Sequence, residues 1–214
     1  MLRDEEFVTD RTYDVEGGSA GTILGLLALN ERYGSEDLVA FASERGDYLL
    51  KNRTESESGY RVWTTLKDCP PLAGFLHGIS GIAYSLVRLY NTTGDDRYLD
   101  AATEALEYEA HVFSETASNW PDLRPWTNSE FADGWSHGRT GIGLSRLGMS
   151  RYVSNELIER DLVRSRDTEA SHELFPVDSV ANGNCGRIEF LLETETEKDG
   201  TASNAHRLLG KVID

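Results

Sequence analysis

The sequence predicts an all-α protein, an incomplete α/α toroid of about four helical hairpins. The first observation is an internal repeat, since residues 27–36 (LALNERYGSE) resemble residues 87–96 (VRLYNTTGDD), 60 positions later. The second is that strongly apolar segments alternate with amphipathic ones. The third is a recurring glycine pair ahead of the apolar segments: Gly18 and Gly21, Gly78 and Gly81, Gly138 and Gly141, Gly183 and Gly186. A hairpin of this kind cannot bury its apolar face alone, so neighbours must stack on it.

The second hairpin illustrates the predicted unit. Residues 82–90 are too apolar for a solvated helix and suit an inner helix. This helix is predicted to end near Gly94, because glycine readily adopts the left-handed conformation at a helix C-terminus. Asp95 and Asp96 favour the start of the next helix through capping and the helix dipole. Residues 97–112 then carry apolar side chains at helical spacing on one face and acidic ones on the other, which predicts an outer helix.

The remaining hairpins follow the same pattern. The first runs from Gly21 to Leu50, the third follows Gly141, and the fourth runs from Gly186 to Leu209. Four hairpins form an arc rather than a closed ring, so inner-helix residues at its two ends are expected to be partly bare. They are Ile23, Leu26, Leu27, Ile188 and Leu191. Such exposure predicts self-association, a partner that carries the missing hairpins, or a loosely folded chain.

Composition excludes several classes of partner. The chain has 37 Asp and Glu against 21 Lys and Arg, a formal net charge of −16, and no basic stripe, which argues against a nucleic acid partner. Its apolar runs, such as residues 23–29, are too short for a membrane span, and its first residues carry no signal-peptide core. We therefore expect a cytoplasmic protein without a membrane partner. The acidity fits either a salt-loving host or an ordinary acidic protein.

The loops before the inner helices are where a functional site is expected, because they converge at one mouth of the ring. The motifs there are residues 14–21 (DVEGGSAG), 74–81 (GFLHGISG), 119–122 (NWPD), 134–141 (GWSHGRTG) and 181–186 (ANGNCG). From Asp14 to Leu192 the chain resembles the lanthionine synthetase C-like family, specifically the cyclase domain of fused class II synthetases. The resemblance implies that residues 1–214 are a partial cyclase domain, the C-terminal half of a toroid of seven hairpins.

The resemblance also implies an activity. Members of the family add a peptide cysteine thiol to dehydroalanine or dehydrobutyrine in a zinc-dependent reaction that closes a thioether ring in lanthipeptide maturation. Coordination to zinc leaves a thiol deprotonated near neutral pH, and a general acid must protonate the resulting enolate. The implied partner is a precursor peptide or the missing half of the synthetase.

Three positions depart from the family pattern. The usual Trp-Cys-x-Gly motif has Ser136 in place of its cysteine, and the usual Cys-His-Gly-Asn motif begins here with Ala181 and Asn182. Alanine cannot coordinate a metal, and a neutral hydroxyl or amide is a poor ligand for zinc. The sequence therefore predicts no intact metal site, no zinc held by this chain and an impaired cyclase activity.

The two cysteines offer little compensation. Cys69 and Cys185 form no Cys-x-x-Cys motif, and a disulfide between them is not expected in a cytoplasmic chain. A metal site relocated to His137 and Cys185 is disfavoured, because Cys185 lies one helical turn beyond Ala181 and would point elsewhere.

Three candidate catalytic residues remain. His77 and Asp14 match the family's active-site histidine and aspartate, and His137 follows the first ligand position, where the family often has a polar ring. From the residues alone, a buried or capping histidine is the favoured interpretation of His77, and a helix N-cap is the favoured interpretation of Asp14; the resemblance adds weight to the functional interpretation of His77. Trp120 and Trp135 are expected to be packing anchors.

Three functional interpretations stay open. The first is a cyclase-family enzyme, active or recently inactivated. The second is a non-catalytic descendant that binds a peptide or a protein. The third is a carbohydrate-processing α/α toroid, which would use paired carboxylates at the mouth, with Asp68, Glu130 and Asp133 in suitable loops.

Overall fold

A computed structural model describes residues 12–127, 130–169, 174–194 and 204–213. These residues form eight helices and one antiparallel strand pair. The helices are α1 (Ser19–Tyr33), α2 (Glu36–Lys51), α3 (Ile79–Thr93), α4 (Asp96–Val112), α5 (Arg139–Ser150), α6 (Glu156–Glu169), α7 (Asn184–Thr194) and α8 (Asn204–Ile213). The strands β1 (Thr54–Glu55) and β2 (Arg61–Val62) lie between α2 and α3.

The helices pack as four consecutive hairpins, α1 with α2, α3 with α4, α5 with α6 and α7 with α8. Each odd-numbered helix also contacts the next odd-numbered one, so α1, α3, α5 and α7 form an inner row. In the outer row, α2 contacts α4, and α4 contacts α6. The predicted all-α arc of four hairpins is confirmed. The segment of the fourth hairpin at residues 195–203 lies outside the described residues.

The ends of the first two inner helices match the repeat. Gly34 and Gly94 take the left-handed conformation, with φ of 64° and 72°, and their N–H groups bond the carbonyls of Asn30 and Tyr90 at 2.8 and 2.7 Å. These bonds satisfy carbonyls that the helix itself leaves open. Asp95 then begins α4 as predicted, accepting a bond from a backbone N–H of its first turn.

The second glycine of each pair lies in the first turn of an inner helix, pressed against the loop that leads into it. A Cβ atom at Gly21, Gly81, Gly141 or Gly186 would stand between 1.9 and 2.2 Å from the backbone carbonyl oxygen six residues earlier. Because real Cβ atoms are not found so close to backbone, only glycine fits. The same loops supply carbonyls to amides at the helix starts, for example Asn184 N to Val177 O at 3.0 Å, and Ile79 N to Leu72 O at 2.8 Å in α3, which has no side-chain cap.

The core has an apolar part and a charged part. The main apolar cluster joins the first two hairpins and extends into the third. Beside it, fully buried Arg146 of α5 donates from Nη2 to Glu109 Oε2 of α4 at 2.7 Å and to Asp161 Oδ2 of α6 at 3.2 Å. Ser80 of α3 donates to the same Glu109 carboxylate. A buried charge is costly unless it is paired, so this network constrains how four helices meet.

The expectation of bare inner-helix residues at both ends needs correction. Ile23, Leu27, Ile188 and Leu191 are buried, at 0%, 2%, 7% and 1% exposure, and of the five residues named only Leu26 is partly exposed. These side chains point into their own hairpin or the next one inward. The exposed apolar residues of the end hairpins are instead Leu29, Tyr33 and Phe41 in the first and Leu192 and Leu209 in the last.

The helices of the described part are each too short or too polar to cross a lipid bilayer.

Candidate functional site

Four loops, one before each inner helix, meet at a common mouth. Backbone hydrogen bonds join them in series. The first runs from Val15 N to Leu76 O at 3.0 Å, and the second from Leu76 N to Ser136 O at 3.0 Å. Ser136 N then donates to Ala181 O at 2.9 Å. The loops therefore converge as the sequence predicts, and side chains more than a hundred residues apart in the chain face one site.

His77 lies between two carboxylates of the first loop. Its Nδ1 is 2.7 Å from Asp14 Oδ2, and its Nε2 is 3.1 Å from Glu16 Oε2. Each ring nitrogen of His77 therefore lies within hydrogen-bonding distance of a carboxylate oxygen. The His77 side chain is 17% exposed, which leaves it reachable from the mouth.

Asp14 holds the loop rather than a helix end. Its Oδ1 accepts from Gly17 N at 3.1 Å, while the N-cap of α1 is Gly18, without a side-chain bond. The carboxylate thus braces the loop with one oxygen and His77 with the other.

His137 lies beside His77, with ring centroids 5.6 Å apart and the ring planes tilted by 33°. It is only 6% exposed. Burial, and after it the Arg124 guanidinium, lowers the pKa of His137 from 6.5 to about 4. The His137 ring is therefore neutral at physiological pH. The structure brings the three predicted residues, Asp14, His77 and His137, into one group.

Sequence reasoning missed an ion pair next to His137. Arg124 clamps Asp122 with Nε to Oδ1 at 2.8 Å and Nη2 to Oδ2 at 2.6 Å. Both charges act on the His137 ring and on the Cys69 thiol. The available signal was the motif at residues 119–122, whose last residue is this aspartate.

The three family ligand positions also lie together. Ser136 is buried and bonded to Ala181 through the backbone, and Gly134 packs against both Ala181 and Asn182. Their side chains are a hydroxyl, a methyl group and an amide, a donor set that does not fit zinc. Within the described ranges, no group of three or more His, Cys, Asp or Glu is arranged to hold a metal ion.

The two cysteines differ in burial. Both are free, Cys69 buried and Cys185 exposed. Burial, with the nearby Asp68 carboxylate, raises the pKa of the Cys69 thiol, so it stays protonated and unreactive near neutral pH.

The carboxylates considered for sugar chemistry have separate surroundings. Asp133 pairs with Arg139 and accepts from Asn119 Nδ2 at 2.8 Å. Asp68 and Glu130 are exposed, and Asp68 has a positive φ of 60°.

The tryptophans differ in burial. Trp120 is 1% exposed, packs edge-on against Phe113 and donates from Nε1 to Glu109 O at 2.9 Å, which is the anchoring role expected. Trp135 is only partly buried and packs against Phe75 at a centroid distance of 5.1 Å.

Comparison with known proteins identifies relatives of the chain. The family model described as lanthionine synthetase C-like protein matches residues 1–214. The lacticin 481/lactococcin biosynthesis protein LcnDR2 of Lactococcus lactis subsp. lactis is 29% identical over 153 residues, which cover 68% of this chain and 14% of that protein.

Two solved structures share the fold. Nisin cyclase superposes with a TM-score of 0.64 at 18% identity, over 88% of this chain and 52% of its own. The GH76 α-mannanase BT2949 of Bacteroides thetaiotaomicron superposes with a TM-score of 0.57 at 13% identity, over 86% of this chain and 52% of its own. The chain thus spans about half the length of each of these two proteins. At these sequence identities, the structural similarity supports the α/α toroid fold and nothing further. The family model, the curated relative and the glycine motifs agree: the chain belongs to the lanthionine synthetase C-like family.

Proposed function

We propose that this chain is a lanthionine cyclase-like protein that binds a precursor peptide at the mouth of the arc, with zinc-dependent thioether formation impaired. We further propose that it corresponds to the C-terminal half of a class II cyclase domain, and that its other partner carries the remaining hairpins. Family membership and the names of the relatives support the peptide class.

One observation carries the proposed impairment. The hydrogen bond from Ser136 N to Ala181 O keeps the ligand positions side by side, yet those positions supply neither thiolate nor imidazole. The Ala181 methyl group cannot coordinate a metal ion, and a small movement of the loop would not bring a coordinating atom to this position. The scaffold of the metal site therefore persists without its donors.

The arrangement of His77 and Asp14 supports a retained ability to donate a proton to a bound peptide. His77 is oriented by Asp14 at 2.7 Å and lies within reach of the mouth. A protonated imidazole held in this way can deliver a proton to a carbanion or enolate. In this proposal His77 is the general acid, Asp14 orients it, and neutral His137 forms the adjoining wall.

Restoring the donors tests the proposal. The triple substitution Ser136→Cys, Ala181→Cys and Asn182→His is expected to bind one zinc ion tightly, measured by metal analysis after dialysis and by calorimetric titration. Ser136→Cys alone is the matched control and should bind no better than wild type, because a zinc site needs about three protein ligands together. One tightly held zinc ion in the wild-type chain would contradict the proposal.

A non-catalytic binding role is the second candidate, favoured by the same alanine. A model peptide with one cysteine and one dehydroalanine separates the two roles, since ring closure removes the free thiol. Alkylation and mass spectrometry of peptide incubated with wild type and with the triple variant would reveal it. Turnover only in the triple variant favours an inactivated cyclase; turnover in neither favours a binding protein.

A further inference from the structure

Arg124 and Asp122 form a rigid clamp at the mouth that the proposed function leaves without a role. Besides its two side-chain bonds, Arg124 donates from its backbone N–H to Asp122 Oδ1 at 3.3 Å. The Asp122 side chain is 4% exposed and that of Arg124 is 22% exposed. Bidentate pairing fixes the plane of a guanidinium, so this cation is held in one orientation.

The fold carries the clamp to the histidines. Asp122 N donates to Glu130 O at 2.8 Å, and Pro121 pairs with Phe131. Farther along the same strand-like segment, Asp133 pairs with Gly138, which directly follows His137. The Arg124 charge is accordingly felt by the His137 ring.

One edge of the guanidinium is unused. Asp122 takes Nε and Nη2, and in the part of the chain that the structure describes Nη1 bonds to nothing. The Arg124 side chain is 22% exposed, and Nη1 is not among the fully buried atoms without a partner in the described residues. A partly buried, pre-oriented N–H donor with positive charge is suited to an sp² oxygen of a ligand.

We propose that Arg124 is a substrate-binding residue of the mouth, that its Nη1 binds a carbonyl or carboxylate oxygen of the peptide, and that Asp122 is its positioning residue. This rests on the proposed peptide-binding function.

Thiol addition explains why the Nη1 group of Arg124 would bind a carbonyl oxygen of the peptide. Addition joins sulfur to the β carbon and moves the π electrons of the alkene onto the conjugated carbonyl oxygen. The α carbon then takes up a proton to replace the one that the thiol gave up. A donor already aimed at the carbonyl oxygen stabilises the charge that develops there.

The chain contains a matched control. Asp95 and Arg97 form the same Asp-x-Arg clamp, with Arg97 N and Nε donating to Asp95 Oδ1 at 3.1 and 3.0 Å. It lies at the start of the outer helix α4, and the Arg97 side chain is 62% exposed. The Asp-x-Arg geometry is thus shared, while Arg97 lies away from the mouth, is more exposed and also pairs with Asp47 at 3.2 Å.

The test is fluorescence anisotropy with a fluorescein-labelled peptide that contains one dehydroalanine and one S-methylcysteine, which cannot react. Arg124→Lys and Asp122→Asn are each expected to weaken binding about tenfold, the usual effect of losing a charge-assisted hydrogen bond, and Arg97→Lys is expected to leave it unchanged. Parallel peptides with a free or an amidated C-terminus identify the oxygen: equal binding points to a carbonyl, and preference for the free acid points to a carboxylate.

Phenylglyoxal labelling of wild type gives a second readout that needs no folded variant. Bound peptide should protect Arg124 and leave Arg97 reactive, as read by mass spectrometry. Equal peptide binding by wild type and Arg124→Lys, or no protection of Arg124, overturns this inference and leaves the proposed function standing. No peptide binding by wild type overturns both.

Discussion

Two histidines 5.6 Å apart at the mouth have opposite electrostatic surroundings. His77 faces the carboxylates of Asp14 and Glu16, whereas His137 is buried with the Arg124 guanidinium near it. Burial and a neighbouring cation disfavour an imidazolium, which keeps His137 neutral. The two imidazoles therefore lie side by side with different partners, carboxylates at His77 and a guanidinium near His137.

The low pKa of His137 predicts an acid-sensitive fold. Below pH 6.5 the unfolded chain protonates this histidine while the folded chain does not, until the pH reaches about 4. The unfolded state then binds more protons, so folding stability falls as pH drops through this window, by up to about 3 kcal/mol. Urea unfolding at pH 7 and pH 5 measures the loss.

His137→Gln is the control for that titration, because glutamine does not titrate and the carboxylates of the chain are unchanged. The pH 7 to 5 loss of stability should be smaller in the variant than in wild type. If wild type and variant lose the same stability between pH 7 and pH 5, the pKa of His137 is not lowered in the folded chain, and the prediction is wrong.

The inner helices depend on glycine at their first turn. In each of the four motifs a loop carbonyl lies where a Cβ atom would stand. The repeated glycine is therefore explained by close packing between each loop and the helix that follows it. This packing fixes the positions of the loops that carry Asp14, His77 and Ser136.

Helix α1 allows a comparison of two glycines in one element. A Cβ at Gly21 would lie 2.1 Å from Val15 O, whereas a Cβ at Gly25 meets nothing within 4 Å. Gly21→Ala is expected to destabilise the chain by about 2 kcal/mol or more, because the loop must move. Gly25→Ala should stabilise it by about 0.5–1 kcal/mol through helix propensity. Thermal and urea unfolding distinguish them, and equal effects would contradict the proposed loop contact.

The first hairpin of the arc carries exposed apolar side chains. Leu29 is 47% and Phe41 is 57% exposed, while the residues 60 positions later, Leu89 and Ala101, are both 0% exposed. Equivalent positions are therefore covered where a preceding hairpin exists. Exposed apolar patches of this kind favour association.

Removing this surface is expected to reduce self-association. We predict that wild type associates, that high salt strengthens the association by screening the net charge of −16, and that Leu29→Ser with Phe41→Ser shifts the chain toward monomer. Val163→Ser is the control, since Val163 is 46% exposed but lies on α6, away from the first hairpin. Sedimentation velocity across a salt series decides, and a wild-type monomer at all salt concentrations would rule the prediction out.

Local patterns in the sequence determined the helical hairpins, the left-handed helix end at Gly94 and the absence of a metal-coordinating side chain at Ala181. Each of these depends on what one residue type or one short segment can do by itself. Contacts between distant segments determined the rest. Glu16 meets His77, Arg124 lies beside His137, and Ile23 is covered, because loops and helices far apart in the chain pack together. Burial and neighbouring charge belong to that packing, and no spacing along the chain encodes them.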